Sequence, residues 1–181
     1  LAVASFGGLV AYTVAKRMEF NELIVTGAVE PEPWGKRVAP PVALLPGTTG
    51  AAVDITDGAA LNAWISKAAG ELGGIDMLFS NAGAMAQGGD AASWEQNFRL
   101  DVLGAVNAFE AARPFLEASG AKNGDAACII ISSISAAQAD TASSYGPIKA
   151  ALIHMAKGLA RQYASKKIRV NVVSPGTVYF K

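Results

Sequence analysis

Ala126-Ala127-Cys128-Ile129-Ile130-Ile131-Ser132-Ser133 is apolar at every position of a strand-length run and then ends in two hydroxyls. A strand that is apolar on both faces belongs in a parallel sheet with helices packed over it. Working outward, similar short runs occur at residues 1–5, 23–26, 77–80 and 170–173. They alternate with longer segments of helical pattern at 10–18, 59–72, 94–116 and 148–163. This order predicts a doubly wound α/β fold built on a parallel sheet. Thr56 or Asp57 is placed to cap the helix from Ala59, and Ser143 or Ser144 the one that carries Tyr145. Pro147 then falls in a first helical turn, where its missing N–H costs nothing. Phe98, Val102, Ala105 and Phe109 recur at helical spacing and predict an apolar stripe facing the core; Trp64 and Trp94 read as packing residues. Five of the eight prolines lie between Gly27 and Gly50, which is loop chemistry without a clear helix.

Length and charge narrow the function classes. A chain of 181 residues is one domain of ordinary size, and with 51% apolar residues it can bury a substantial core. Fifteen basic residues balance fifteen acidic ones, so nothing in the overall charge attracts a polyanion, and nucleic acid is not an expected partner. The run from Leu1 is interrupted by Ser5, Gly7 and Gly8 and is too short to span a bilayer, so the reading is a soluble cytoplasmic protein with no membrane partner. Cys128, the single cysteine, reads as a small buried hydrophobe. There is no H-E-x-x-H and no Cys/His cluster, so no transition-metal site is expected. The lone His154 is displaced around its helix from Lys149 and reads as structural or interfacial.

The residues that could carry chemistry gather at predicted strand ends. Tyr145 and Lys149 are four apart and share a helical face. A cation held beside a phenol favours the phenolate, which suits a group that gives and takes a proton. Asn81-Ala82-Gly83, Ser132-Ser133 and Ser174-Pro175-Gly176-Thr177 each follow a predicted strand, and Ala4-Ser5-Phe6-Gly7-Gly8-Leu9 is a small-residue turn entering a helix. Ligands of parallel α/β sheets bind outside the carboxyl ends of the strands, where helix N-termini offer free N–H groups.

In this order of motifs the chain resembles the short-chain dehydrogenase/reductases: Asp54 before a helix, Asn81-Ala82-Gly83, a Ser-Ser pair after a strand, Tyr145-x-x-x-Lys149, and Pro175-Gly176 after the next strand. The resemblance implies a single Rossmann-like domain over 1–181 that binds NAD or NADP. It implies that Tyr145 is the proton donor or acceptor, that Lys149 bonds the nicotinamide ribose, and that Ser133 orients the substrate carbonyl or hydroxyl. Asn81, Ala82 and Gly83 would line the adenine-ribose side, Asp54 and Ile55 the adenine edge, Gly7 and Gly8 the phosphate turn, and Pro175, Gly176, Thr177 and Val178 the nicotinamide. A homodimer or homotetramer is implied through the helices from Trp94 and Tyr145.

The chain departs from that pattern in three places. The family's T-G-x-x-x-G-x-G turn is here Ala4-Ser5-Phe6-Gly7-Gly8-Leu9-Val10-Ala11. Where many members have an Asn in a V-N-x-x-G pattern, this chain has Leu100-Asp101-Val102-Leu103-Gly104, and two readings of Asp101 stay open: an acceptor for a water that relays protons to Lys149, or simply a helix carboxylate. Members usually continue past Pro-Gly into a substrate lid and last strand, both expected to be missing here. Glu30, after the second predicted strand, leans the cofactor expectation to NAD. The expected reaction is interconversion of a secondary alcohol and a ketone; the alternatives are a 3-oxoacyl-thioester reductase and a dinucleotide-binding sensor without turnover.

Overall fold

The computed structural model describes residues 13–15, 24–27, 49–84, 86–139 and 142–176. The expected first strand at 1–5, the glycine turn with Gly7 and Gly8, Glu30, and Thr177 and Val178 lie outside the described residues. The elements in chain order are β1 (Thr13–Ala15), β2 (Ile24–Gly27), β3 (Thr49–Ala52), α1 (Gly58–Leu72), β4 (Met77–Ser80), α2 (Ala91–Asn97), a π-helical segment (Phe98–Leu103), α3 (Gly104–Asn123), β5 (Ala126–Ile131), α4 (Tyr145–Tyr163) and β6 (Ile168–Val173).

β4, β5 and β6 form the parallel part of a four-stranded sheet of order β1-β4-β5-β6, and β2 pairs with β3, also parallel, in a sheet of two. The connections β4–α3–β5 and β5–α4–β6 step the same way across the sheet, so right-handed crossovers place α3 and α4 on one face. That face holds the core. Leu78, Cys128, Ile130 and Ile168 are buried there against α1 and α3, with Leu61, Ile65, Phe109, Leu116 and Leu152 closing the cluster. The ring of Phe109 meets Tyr163 of α4 at 5.1 Å between centroids. Burial pushes the Cys128 thiol up to about 12, in keeping with a buried hydrophobe.

Local signals set most boundaries. The Asp57 carboxylate accepts from the N–H groups of Ala59 and Ala60, both at 3.0 Å, and so caps α1, which ends at Gly73 with φ 74°. Three expectations are corrected. The helix expected over 10–18 is a strand at Thr13–Ala15, paired antiparallel to β4; Thr13 and Val14 are β-branched and suit a pleated edge better than a helix. A strand at Thr49–Ala52 follows the proline-rich stretch, where none was expected. The helix over 94–116 is not continuous, because the π-helical turn from Phe98 to Leu103 shifts the helical phase. Phe98 is therefore 45% exposed rather than in the core stripe, and Trp94 is 40% exposed. Asn97 and Asp101 face inward instead, both fully buried.

Candidate active site

The three parallel strands end side by side. Ser80 lies opposite Ile130, and Ile131 opposite Val173, so Asn81–Ala84, Ser132-Ser133 and Ser174–Gly176 all leave the sheet at one edge. The Ser132 N–H donates to the Val173 carbonyl at 2.8 Å and the Ile134 N–H to the Pro175 carbonyl at 3.0 Å, which ties two of these segments together. This is the carboxyl edge at which ligands of open parallel sheets lie.

Ser133 and Tyr145 are brought to that edge by a close backbone approach. The Ser133 hydroxyl accepts from the Ser135 N–H at 3.2 Å and opens a short 3-10 turn at Ile134–Ala136. That turn rests on the start of α4 at Gly146, where a Cβ would stand 2.7 Å from the Ser135 carbonyl oxygen. Any side chain at Gly146 would push Ser133 and Tyr145 apart. A second tie runs from the buried Ser132 hydroxyl, which donates to the Lys149 carbonyl at 2.8 Å. On α4 the Lys149 ammonium stands 5.5 Å from the centroid of the Tyr145 ring, within reach of a cation–π attraction.

Lys149 is only 4% exposed, and its ammonium contacts Asp101 Oδ1 directly. Asp101 Oδ2 accepts from the Ala84 N–H at 3.1 Å. A Cβ at Gly83 would lie 2.8 Å from Lys149 Nζ, so the glycine lets the chain pass against the ion pair. Asp101 and Lys149 are in direct contact, since the π-helical turn carries the carboxylate inward. Burial pushes the Asp101 carboxyl above its ordinary range, against the lowering pull of the Lys149 charge and of the hydrogen bonds from Lys149 and Ala84.

Two polar residues here were not singled out as functional from the sequence. Asn97 Nδ2 donates to the Ala86 carbonyl at 2.9 Å and to the Ser144 hydroxyl at 2.8 Å, while its Oδ1 accepts from the Ala86 N–H at 3.2 Å. Ser144, expected to cap α4 with its side chain, instead donates that hydroxyl to the Gly88 carbonyl at 3.0 Å. The available signal was the four-residue spacing of Asn97 and Asp101, which puts two polar groups on one helical face.

The other expected binding residues are spread more widely. Asn81 and Gly83 are partly exposed at the carboxyl edge, and Pro175 and Gly176 are exposed beside them. Ala82 is in the core. Asp54 is exposed and accepts from the Thr56 N–H and hydroxyl, both at 2.9 Å. Ile55 is buried against Gly104, where a Cβ would lie 2.6 Å from its Cδ1, so its side chain is packed into the core. Its carbonyl accepts from Asn107 Nδ2 at 3.1 Å.

A family model described as enoyl-(acyl carrier protein) reductase matches residues 7–181. The chain is similar to isoepoxydon dehydrogenase patN of Penicillium expansum, at 36% identity over 134 residues that cover 73% of this chain and 50% of that protein. Among solved structures, the NADH-dependent reductase A1-R' complexed with NAD matches with a TM-score of 0.67 at 27% identity, covering 72% of this chain and 58% of that one. ElxO with NADP bound matches with a TM-score of 0.67 at 27% identity, covering 74% and 54%. The chain spans about half the length of the curated relatives it matches. Among the described residues no helix is long and apolar enough to cross a membrane.

Proposed function

The chain belongs to the short-chain dehydrogenase/reductase family, and on that premise we propose that it interconverts a secondary alcohol and a ketone with NAD or NADP as hydride carrier. The observation that carries this reading is the buried Lys149 ammonium, held between the Tyr145 ring and the Asp101 carboxylate at the carboxyl edge of the sheet. A lysine so deeply buried serves little purpose on a passive surface, whereas here it places a positive charge beside the hydroxyl that must move a proton.

The donor set suits a nicotinamide dinucleotide. Among the described residues Asp101 is the one acceptor that the Lys149 ammonium meets, and an ammonium carries three donors, which leaves N–H groups for a ribose diol. A bound nicotinamide supplies or accepts the hydride. The chain's own residues handle the proton and the geometry: Tyr145 gives or takes the proton of the substrate oxygen, Ser133 orients that oxygen, Lys149 would bond the nicotinamide ribose, and Asp101 anchors Lys149. Asn81, Gly83, Pro175 and Gly176 at the carboxyl edge would contact the cofactor, and Gly7, Gly8, Asp54, Ile55, Ala82, Thr177 and Val178 are its further expected contacts, with Ile55 and Ala82 contributing backbone only. The preference for NAD rests on Glu30.

The same reading includes a single dinucleotide-binding domain over 1–181, a cytoplasmic location and a homodimer or homotetramer. The exposed Trp94, Phe98, Leu103 and Val106 along one helical stretch support self-association. A second reading is reduction of the 3-oxo group of an acyl thioester; the description of the matching family model, which names an acyl-carrier substrate, favours that substrate class.

The test is a fluorescence titration of the full-length protein with NADH and NADPH, with secondary alcohols, ketones and 3-oxoacyl thioesters followed at the nicotinamide absorbance. Tyr145→Phe should abolish turnover and leave cofactor affinity within about threefold, since the phenol acts on the transition state and not on ground-state binding. Parent-level turnover in that variant would remove Tyr145 from the mechanism. Cofactor binding with no turnover on any substrate would make the protein a sensor.

A further inference from the structure

Two buried polar cross-links join the helical stretch around the π turn to α4, and each also grips the backbone that follows β4, at Ala84 or at Ala86 and Gly88. The first is Asp101 to Lys149, with Ala84 bound to the same carboxylate. The second is Asn97 to Ser144, with Ala86 and Gly88 bound to the same pair. Asn97 precedes Asp101 by four residues and Ser144 precedes Lys149 by five, so Tyr145 is the residue of α4 next to the second link and one turn before the first. Asn97 and Ser144 are both fully buried, and the carboxamide meets an N–H, a carbonyl and a hydroxyl at once. Apolar residues would pack such a helix contact without this set of directions. A carboxamide specifies one relative placement, because any slide leaves buried donors and acceptors unpaired.

We propose that Asn97 is a positioning residue for the reaction: through Ser144 it sets the Tyr145 phenol relative to Lys149, and through Ala86 and Gly88 it makes residues 86–88 a fixed wall beside the site. The inference rests on the reading of Tyr145 as the proton-transfer group. Ala84 and residues 86–88 lie in neither helix nor strand, and side-chain bonds from Asp101, Asn97 and Ser144 meet the backbone at Ala84, Ala86 and Gly88. Just beyond them, a Cβ at Gly89 would stand 2.8 Å from the Ala142 carbonyl oxygen, so the wall also lies against the chain that leads into α4. Misplacement of a reacting group by about 1 Å can cost on the order of a hundredfold in rate, so loss of this link should appear in the chemical step.

Asn97→Ala and the milder Ser144→Ala are compared in the full-length protein, with Tyr145→Phe in parallel, by steady-state kinetics and amide hydrogen exchange, rates being normalised to folded protein. Each variant should lower kcat about tenfold while the KM values for cofactor and substrate stay within about twofold, and the double variant should be little worse than either, as expected for residues acting as a unit. Exchange at the Ala86 amide should quicken about tenfold in Asn97→Ala with β5 amides unchanged. If Tyr145→Phe abolishes turnover and both other variants keep the parent kcat, the positioning role is overturned while the Tyr145 reading stands. If Tyr145→Phe itself turns over, or no substrate is found, the exchange data decide: a quickened Ala86 amide supports the fixed wall, and an unchanged one overturns it. Should Asn97→Ala fail to fold, Ser144→Ala carries the same kinetic and exchange expectations.

Discussion

Two ion pairs at opposite ends of the same strands differ in almost every respect except charge. Arg169 at the start of β6 holds Asp125 with two bonds, Nε to Oδ1 at 2.7 Å and Nη2 to Oδ2 at 3.1 Å, a well-aligned fork. Its side chain is 59% exposed and that of Asp125 31%. Lys149 meets Asp101 at the carboxyl end through a single point contact, yet the side chains are 5% and 0% exposed. Water screens the better-shaped pair and leaves it worth little, while the plainer pair sits where an unpaired charge has no solvent to turn to. Geometry on its own therefore ranks the two in the wrong order, and burial decides.

Breaking the buried pair from one side should give the larger effect. Lys149→Met leaves the Asp101 carboxylate buried without its cation and should destabilise the fold by about 3–5 kcal/mol, read by urea unfolding. Lys149→Met combined with Asp101→Leu should recover much of that loss, because the pair's desolvation cost disappears with it. If the single variant unfolds like the parent, water reaches the site and the contrast collapses. Cys128 gives an independent readout: buried, with its thiol pushed up to about 12, it should react with alkylating reagents only through opening of the fold, and faster in Lys149→Met.

The pH dependence sharpens the same comparison. Burial raises the Asp101 carboxyl above its ordinary 3.8, so the folded state binds that proton more tightly than the unfolded one. Its contribution to stability is present below 3.8 and is lost as pH rises through the raised folded value, the reverse of a surface carboxylate in an ion pair. Asp101→Asn should remove this component, and the difference in unfolding free energy between variant and parent, followed from about pH 4 to about pH 8, should move in the variant's favour. A difference that does not vary with pH would place the Asp101 titration at its ordinary value. The smallest effect belongs to the exposed pair: Arg169→Gln should cost about 0.2–1 kcal/mol, and less in high salt, by the same unfolding measurement.

Much of the parallel core was legible in the chain because its signals are local. Met77–Ser80 and the apolar run ending at Ser132-Ser133 could be read as strands from composition, Asp57 as a cap from its place before a helical pattern, and Pro147 as a first-turn residue. The neighbourhood of Tyr145 and Lys149 was legible for the same reason, since four residues on a helix fix a shared face. The stripe through Phe98 was misread because periodicity assumes one helical pitch throughout, and the π turn from Phe98 to Leu103 breaks that assumption. Thr13–Ala15 was misread because three residues in an apolar segment carry no period of their own and take their structure from pairing with β4.

The amino-acid sequence by itself determined the alternation of strand and helix from β4 to β6, the Asp57 cap and the spacing that puts Tyr145 and Lys149 together, since each depends on neighbours within a few positions. Only the tertiary structure decided that Asp101 touches Lys149, that Asn97 reaches Ser144 across 47 positions, and that Gly146 must lack a side chain for Ser133 to approach. Those contacts depend on burial and on the phase shift of a π turn, and neither is written in any short stretch of the chain.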